Sequence, residues 1–197
     1  MIRAFLAIVL GEAILERYSA CHAREATQRR DFRWVRPANV HITIRFLGDT
    51  REDRVEPLRR EIESVTAGAA PFRIALGQPG CFGPRDRPQV LWFAIDEGAQ
   101  ELKALVTRIE SALRRLSFAP DDKAWRAHIT VARNPRRAFF RDWEEALKGW
   151  GLAGMAFEAR EVTFFSSVLG PQGPTYSVLW NAALGGGGEH TTQDPIH

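Results

Sequence analysis

Five histidines occur in 197 residues, and two of them open the same four-residue pattern: His41-Ile42-Thr43-Ile44 and His128-Ile129-Thr130-Val131. Side chains of an extended strand alternate between faces, so each histidine shares a face with the threonine two places on. The aliphatic residues take the opposite face. An imidazole, with an ordinary pKa of about 6.5, gains and loses a proton close to neutrality. Two of them facing each other across phosphorus divide the work of phosphoester hydrolysis, one taking a proton from water and the other giving one to the leaving oxygen. Threonine hydroxyls donate hydrogen bonds to non-bridging phosphate oxygens without titrating, which holds the group for in-line attack. One such pattern is weak, because a lone strand histidine is most often structural. Two copies shift the balance to His41 and His128 as catalytic residues, with Thr43 and Thr130 binding phosphate.

Other residues compete for roles around this pair. Arg133 follows Thr130 by three positions and is placed to reach a phosphate from the strand end. Arg45 shares the His41 face by strand parity, where phosphate contact and a plain salt bridge are equally good readings. Stacking of a base needs an exposed aromatic, for which Trp34, Phe46, Phe82 and Trp125 are candidates. Arg133, Arg136, Arg137 and Arg141 crowd the stretch after the second motif and read as a solvated face. His22 and Cys21 have no partner at metal-ligand spacing. Asp121 and Asp122 lack a matching carboxylate cluster, which disfavours a two-metal nuclease. No metal and no cofactor are expected.

Strands and helices must carry these residues. Strands are predicted at Ile2 to Leu10, Phe32 to Val35 and Val40 to Leu47, then at Phe72 to Leu76, Val90 to Ile95 and Arg126 to Ala132. Two more follow at Val162 to Leu169 and Tyr176 to Asn181. Helical spacing marks Glu12 to Gln28, Arg51 to Val65, Ala99 to Leu116 and a shorter stretch at Trp143 to Leu147. The Gly- and Pro-rich run Gln78 to Pro88 reads as loop, and Gly170 to Pro174 as a hairpin loop. Many strand pairs are joined by connections too short for a helical crossover, which argues for antiparallel sheets with helices on one face, an α+β architecture. The repeated motif implies two pseudo-symmetric lobes within one domain, residues 1–183. Residues 184–197 read as a flexible Gly-rich tail.

Composition sets outer bounds. The chain is 45% hydrophobic and 26% charged, with 12 Phe and 6 Trp, the profile of an ordered globular protein. The net charge of +3 rests on arginine, since Lys103, Lys123 and Lys148 are the only lysines. No apolar run approaches the roughly 20 residues of a membrane-spanning helix. Cys21 and Cys81 suggest neither a disulfide framework nor a zinc site, so a reducing cytoplasm and no membrane association are expected.

Set together, Trp34-Val35, Asn39, His41 to Gly48 and His128 to Arg133 resemble the LigT-like RNA 2′,3′-cyclic phosphodiesterases of the two-histidine phosphoesterase superfamily, also known as 2′-5′ RNA ligase-like proteins. Further parallels are Arg3 to Ile8, Val90-Leu91-Trp92, Phe118-Ala119-Pro120 and Leu169 to Gly173, so the likeness spans residues 1 to 183. A departure is Ala127, where many relatives carry proline. The resemblance implies a bilobal α+β fold with two antiparallel sheets lining a central cleft, helices outside, and pseudo-twofold symmetry. It also implies metal-independent opening of a terminal 2′,3′-cyclic phosphate of RNA or an oligonucleotide to a 2′-phosphomonoester by a monomer. His41 would protonate the leaving 3′ oxygen and His128 would activate water. Two alternatives are ATP-independent, reversible 2′-5′ RNA ligation by the same residues, and a nucleotide- or RNA-binding module without turnover.

Overall fold

The computed structural model describes residues 1–121, 124–170 and 173–185. Nine strands and four α-helices occur among them: β1 Ile2–Val9, α1 Glu12–Gln28, β2 Arg33–Trp34, β3 His41–Thr50, α2 Val55–Ala67, β4 Phe72–Phe82, β5 Val90–Glu97, α3 Ala99–Arg115, β6 His128–Arg133, α4 Trp143–Lys148, β7 Ala156–Ala159, β8 Glu161–Gly170 and β9 Gly173–Ala183. All strand pairs are antiparallel, and the strands lie in the order β7-β4-β5-β6-β3-β1-β8-β9, with β2 also paired to β6. The α+β class therefore holds. One lobe comprises β7-β4-β5-β6 with the short β2 on β6, the other β3-β1-β8-β9, and the two meet edge to edge where β3 pairs with β6 at a single position, Ile42 with Ile129.

The helices are amphipathic and cover one side of these sheets. Ile14, Tyr18 and Cys21 of α1 are buried, as are Leu58, Ile62 and Val65 of α2 and Leu102, Leu105, Val106, Ile109 and Leu113 of α3. These recur every three or four residues, the spacing of one helix face. They share one core with Ile42, Ile44, Ile129 and Val131. Burying that face commits the other face of both motif strands to the open side of the sheet. The Tyr18 hydroxyl donates to the Val35 carbonyl at 2.6 Å, and the Val35 N–H donates to the Val131 carbonyl, which ties α1 to the strand carrying the second motif.

Three expectations need correcting. The expected loop from Gln78 is strand as far as Phe82, because its glycines make room rather than turns. Gly80 pairs with Trp92, and a Cβ on Gly80 would lie 2.2 Å from the Trp92 ring. Pro79 is tolerated because β7 pairs only with Phe72 to Ala75, leaving the later part of β4 at a sheet edge. β3 does not stop at Gly48 but continues to Thr50, with Gly48 at φ 67° taking up an irregularity opposite β1. Leu184, assigned to the tail, is buried, and its N–H donates to the Arg160 carbonyl. The rest of the expected tail, residues 186–197, lies outside the described residues, as do Pro171 and Gln172 of the expected hairpin loop. No helix among the described residues is long and apolar enough to cross a membrane.

Candidate active site

The two motif strands are built alike down to an irregularity that parity does not anticipate. Along β1, pairing passes from Leu6–Arg45 to Ala7–Thr43, so Ile44 is an extra residue. Along β5 it passes from Leu91–Ala132 to Trp92–Thr130, so Val131 is extra. Each is a β-bulge, which sends two successive side chains to the same side. Accordingly Ile44 and Arg45 are both buried, as are Val131 and Ala132. The residue after each pair, Phe46 or Arg133, returns to the face of the histidine and threonine. Extending the Ile42–Ile129 register by one residue each way sets His41 across from Thr130 and Thr43 across from His128. The four residues thus form the corners of one patch, with the pseudo-twofold axis through its centre.

Both imidazoles are held in the same way. Nδ1 of His41 lies 2.8 Å from the carbonyl oxygen of Asn39, and Nδ1 of His128 lies 2.8 Å from that of Arg126. A carbonyl only accepts, so Nδ1 carries the proton and Nε2 is the nitrogen left for chemistry. Nε2 of His41 lies 3.0 Å from the Thr43 hydroxyl. Burial pulls the His41 pKa down to about 4. The Asn39 hydrogen bond opposes that effect, while the neighbouring charges of His128 and Arg133 add to it. The His128 pKa is also lowered, first by burial, then by Arg126 and Arg133, against the hydrogen bond to the Arg126 carbonyl. His41 feels the charge of His128, and both rings feel Arg133, as expected of groups converging on a single ligand.

Aromatic rings enclose each histidine. On the first lobe Phe5, Ala7 and Phe165 form a separate small apolar cluster, with Tyr176 against it. Phe5 lies 4.9 Å from His41 between ring centroids, and Tyr176 meets His41 edge-on at 5.6 Å. The strand bearing Tyr176 is clamped, because the side chains of Arg36 and Asn39 both donate to the Pro174 carbonyl at 2.7 Å. On the second lobe Phe82 meets His128 edge-on at 5.5 Å, and Trp92 lies at 6.2 Å. The Arg126 guanidinium sits 4.5 Å above the Trp92 ring. Phe5, Phe165, Tyr176, Trp92 and Arg126 escaped sequence reasoning. Only Phe5 had a signal, strand parity, which sets it on the face opposite Ala4, Leu6 and Ile8, although both faces are buried.

The remaining expected site residues divide. Arg133 is exposed on the site face and lowers the pKa of both histidines. Phe46 is 52% exposed, 5.6 Å from Phe5, and Phe82 stands beside His128, so both remain available to a ligand. Arg45 is a correction. The bulge turns it away from the patch into a buried ion pair with Glu110 of α3 at 2.7 Å, a second with Asp121 at 3.1 Å, and a hydrogen bond to the Ala119 carbonyl. Trp34 is another, because its ring packs between Phe32 and Trp150 on the helix side and its indole N–H donates to the Arg29 carbonyl. Trp125 is half-buried, packs against the core at one side and donates to the Thr43 carbonyl at 3.0 Å, which braces β3. Asp122, beside Asp121, lies outside the described residues. Among the described residues no group of three or more His, Cys, Asp and Glu side chains gathers to hold a metal ion.

Two His-x-Thr strands from two antiparallel sheets, joined at one cleft, are the architecture of a two-histidine phosphoesterase. Comparison with known proteins agrees. The RNA 2′,3′-cyclic phosphodiesterase of Aquifex aeolicus is 28% identical over 189 residues, which is 94% of this chain and 99% of that protein. The enzyme of the same name from Archaeoglobus fulgidus is 30% identical over 182 residues, 90% of this chain and 97% of that one. The crystal structure of TT0787 of Thermus thermophilus superposes with a TM-score of 0.76 at 24% identity, covering 95% of this chain and 100% of that one, and so shares the fold. The family described as LigT like phosphoesterase matches residues 13–92 and 94–176. The chain belongs to the LigT-like phosphoesterase family.

Proposed function

We propose that the chain hydrolyses a terminal 2′,3′-cyclic phosphate of RNA to a 2′-phosphomonoester, with His41 and His128 as acid and base. The observation that carries this is the meeting of the two motifs at the Ile42–Ile129 pair, with both Nδ1 atoms engaged by carbonyls and Nε2 of His41 turned to the Thr43 hydroxyl on the site face. The similarity to proteins named RNA 2′,3′-cyclic phosphodiesterase supports the substrate class.

His41 is the more enclosed histidine, walled by Phe5 and Tyr176, which suits it to the leaving oxygen rather than to incoming water. Water therefore approaches from the His128 side. Its oxygen attacks phosphorus as its proton passes to Nε2 of His128. The bond from phosphorus to O3′ breaks, and Nε2 of His41 delivers a proton to O3′, leaving a free 3′ hydroxyl and a 2′ phosphate. Thr43, Thr130 and Arg133 hold the non-bridging oxygens and offset the charge gathering there. The bound phosphate anion raises both imidazole pKa values, so a proton is retained on His41 until it is needed. Phe46 and Phe82 offer ring surface to the terminal base. Both histidines and both threonines come from one chain, which supports a monomer as the working unit. The free thiols Cys21 and Cys81 fit a reducing cytoplasm.

The test is an assay in EDTA on a short RNA ending in a 2′,3′-cyclic phosphate, with 2′ and 3′ monoesters resolved. A 2′ product at undiminished rate is expected. A 3′ product would reverse the leaving-group assignment, and no turnover by folded protein would leave a binding module.

A further inference from the structure

The arginine run after the second motif is more organised than a solvated face requires. The turn following β6 is locked from within. Asn134 is buried, its side-chain amide donates to the carbonyls of Pro88 and Ala138 at 2.9 Å, and its side-chain oxygen accepts from the Ala138 N–H at 2.9 Å. This lock projects Arg136 and Arg137 into solvent, with Arg137 at φ 52°, a left-handed conformation unfavourable for a long side chain. Backbone strain kept at an exposed arginine points to a use for that side chain.

The neighbourhood is unbalanced in charge. Arg33 of β2 pairs directly with Arg133 of β6, and both are exposed. Like charges opposite each other on adjacent strands repel unless an anion lies between them. Among the described residues Arg33, Arg133, Arg136 and Arg137 form no ion pair, whereas Asp31 is engaged by Arg29 and Glu144 by Arg85 and Lys148. Just beyond the locked turn Phe139 is 56% exposed, with the guanidiniums of Arg87 and Arg141 at 4.9 and 5.8 Å from its ring centre. Its backbone is pinned as well, since Arg29 donates to the Phe139 carbonyl at 2.8 Å.

An exposed aromatic ring amid guanidiniums, beside a row of uncompensated arginines, is how proteins hold single-stranded nucleic acid: bases stack on rings while arginines follow the phosphates. The row begins at Arg133, in the site itself. We propose that Arg33, Arg136, Arg137 and Phe139 form a track for the single-stranded RNA upstream of the terminal phosphate, the arginines taking its phosphodiesters and Phe139 stacking one of its bases. The track rests on the functional reading above for its direction: with the chain end between the histidines, the exposed Arg133, which acts on both of them, is where the row meets the site.

Binding of a fluorescent hexaribonucleotide with a 3′-terminal phosphate tests this separately from turnover. The double variant Arg136→Ser, Arg137→Asn keeps a polar turn, and asparagine accepts the left-handed backbone. It is expected to weaken hexamer binding about tenfold or more and to reduce the slope of log affinity against log salt by about 1.4, two phosphates at about 0.7 each. Phe139→Ala is expected to weaken the intact hexamer several-fold and to leave an abasic hexamer unchanged. Turnover of a mononucleoside 2′,3′-cyclic phosphate stays at the level of the parent in both variants. Unchanged hexamer affinity and salt slope would overturn the track, as would an equal loss on the mononucleotide. Binding to phosphatidylserine vesicles through the same arginines, without hexamer binding, would also overturn it by assigning the patch to a membrane surface. If the parent protein turned over no cyclic phosphate while hexamer binding still depended on these residues, the track would stand and the hydrolase reading would fall.

Discussion

Lowering the pH should destabilise this protein through His41, and replacing that residue should remove that contribution. An unfolded chain protonates the imidazole near its ordinary value of 6.5, whereas the folded protein holds it at about 4 because Phe5, Phe165 and Tyr176 exclude water from the ring. A folded pKa below the unfolded one means that unfolding takes up a proton between those two values. The stability tied to the neutral ring is therefore fully present above pH 6.5, falls as pH drops, and has mostly gone by about pH 4. At about 1.4 kcal/mol per pH unit, the full gap corresponds to about 3.5 kcal/mol, of which about 3 kcal/mol is lost at pH 4, where the folded ring is half protonated. Urea unfolding followed by tryptophan fluorescence at pH 4, 5, 6 and 7.5 measures it, on the parent and on His41→Gln. His128 moves in the same direction but is present in both proteins, so it largely cancels in the difference. The variant should gain about 3 kcal/mol relative to the parent between pH 7.5 and pH 4. A difference that stays flat across that range would refute the claim that burial holds His41 neutral.

Replacing His128 with alanine should lower kcat by at least about a hundredfold, the lower end of what a positioned acid or base contributes, while circular dichroism and hexamer binding stay near the parent; undiminished hydrolysis would remove His128 from the mechanism. The pH profiles of kcat/KM and kcat should separate. With both imidazole pKa values lowered in the free protein, kcat/KM declines through the neutral range, whereas kcat holds to higher pH because the bound phosphate anion raises both; superimposed profiles would contradict this. Gly80→Ala should cost about 1 to 3 kcal/mol by urea unfolding, because the new methyl group meets the Trp92 ring, and it should raise KM by moving Trp92 beside His128; an unchanged Tm and KM would show that β4 yields there.

The paired histidines and threonines were legible because each lies within four residues of its partner and strand geometry relates them locally. Helix α1 was legible to the residue from its apolar spacing, and α2 and α3 to within a few residues. What escaped depends on pairing across the sheet. The bulges at Ile44 and Val131 exist only relative to β1 and β5, so parity put Arg45 on the wrong face and gave no reason for Phe46 and Arg133 to be on the right one. Arg45 finds its partner in Glu110, 65 residues away in the chain and on a helix. Gly77, Pro79 and Gly80 carry the composition of a loop, but they mark close approach in a strand, where Gly77 faces Asp96 and Gly80 faces Trp92. The Phe5, Phe165 and Tyr176 enclosure draws on β1, β8 and β9, elements that adjoin one another only after folding.

The single pair joining the lobes has a mechanical consequence. Ile42 and Ile129 are a lone stitch in a seam whose neighbouring strands are laced along most of their length. Elsewhere the seam is carried by the shared core, the Arg45–Glu110 ion pair and the Trp125 hydrogen bond to Thr43, so the line in the sheet with the fewest strand pairs runs under the histidines. On the function proposed above, a phosphate held by Thr43 from one side and Thr130 from the other would act as a second stitch, so the occupied protein would be stiffer across the seam than the empty one.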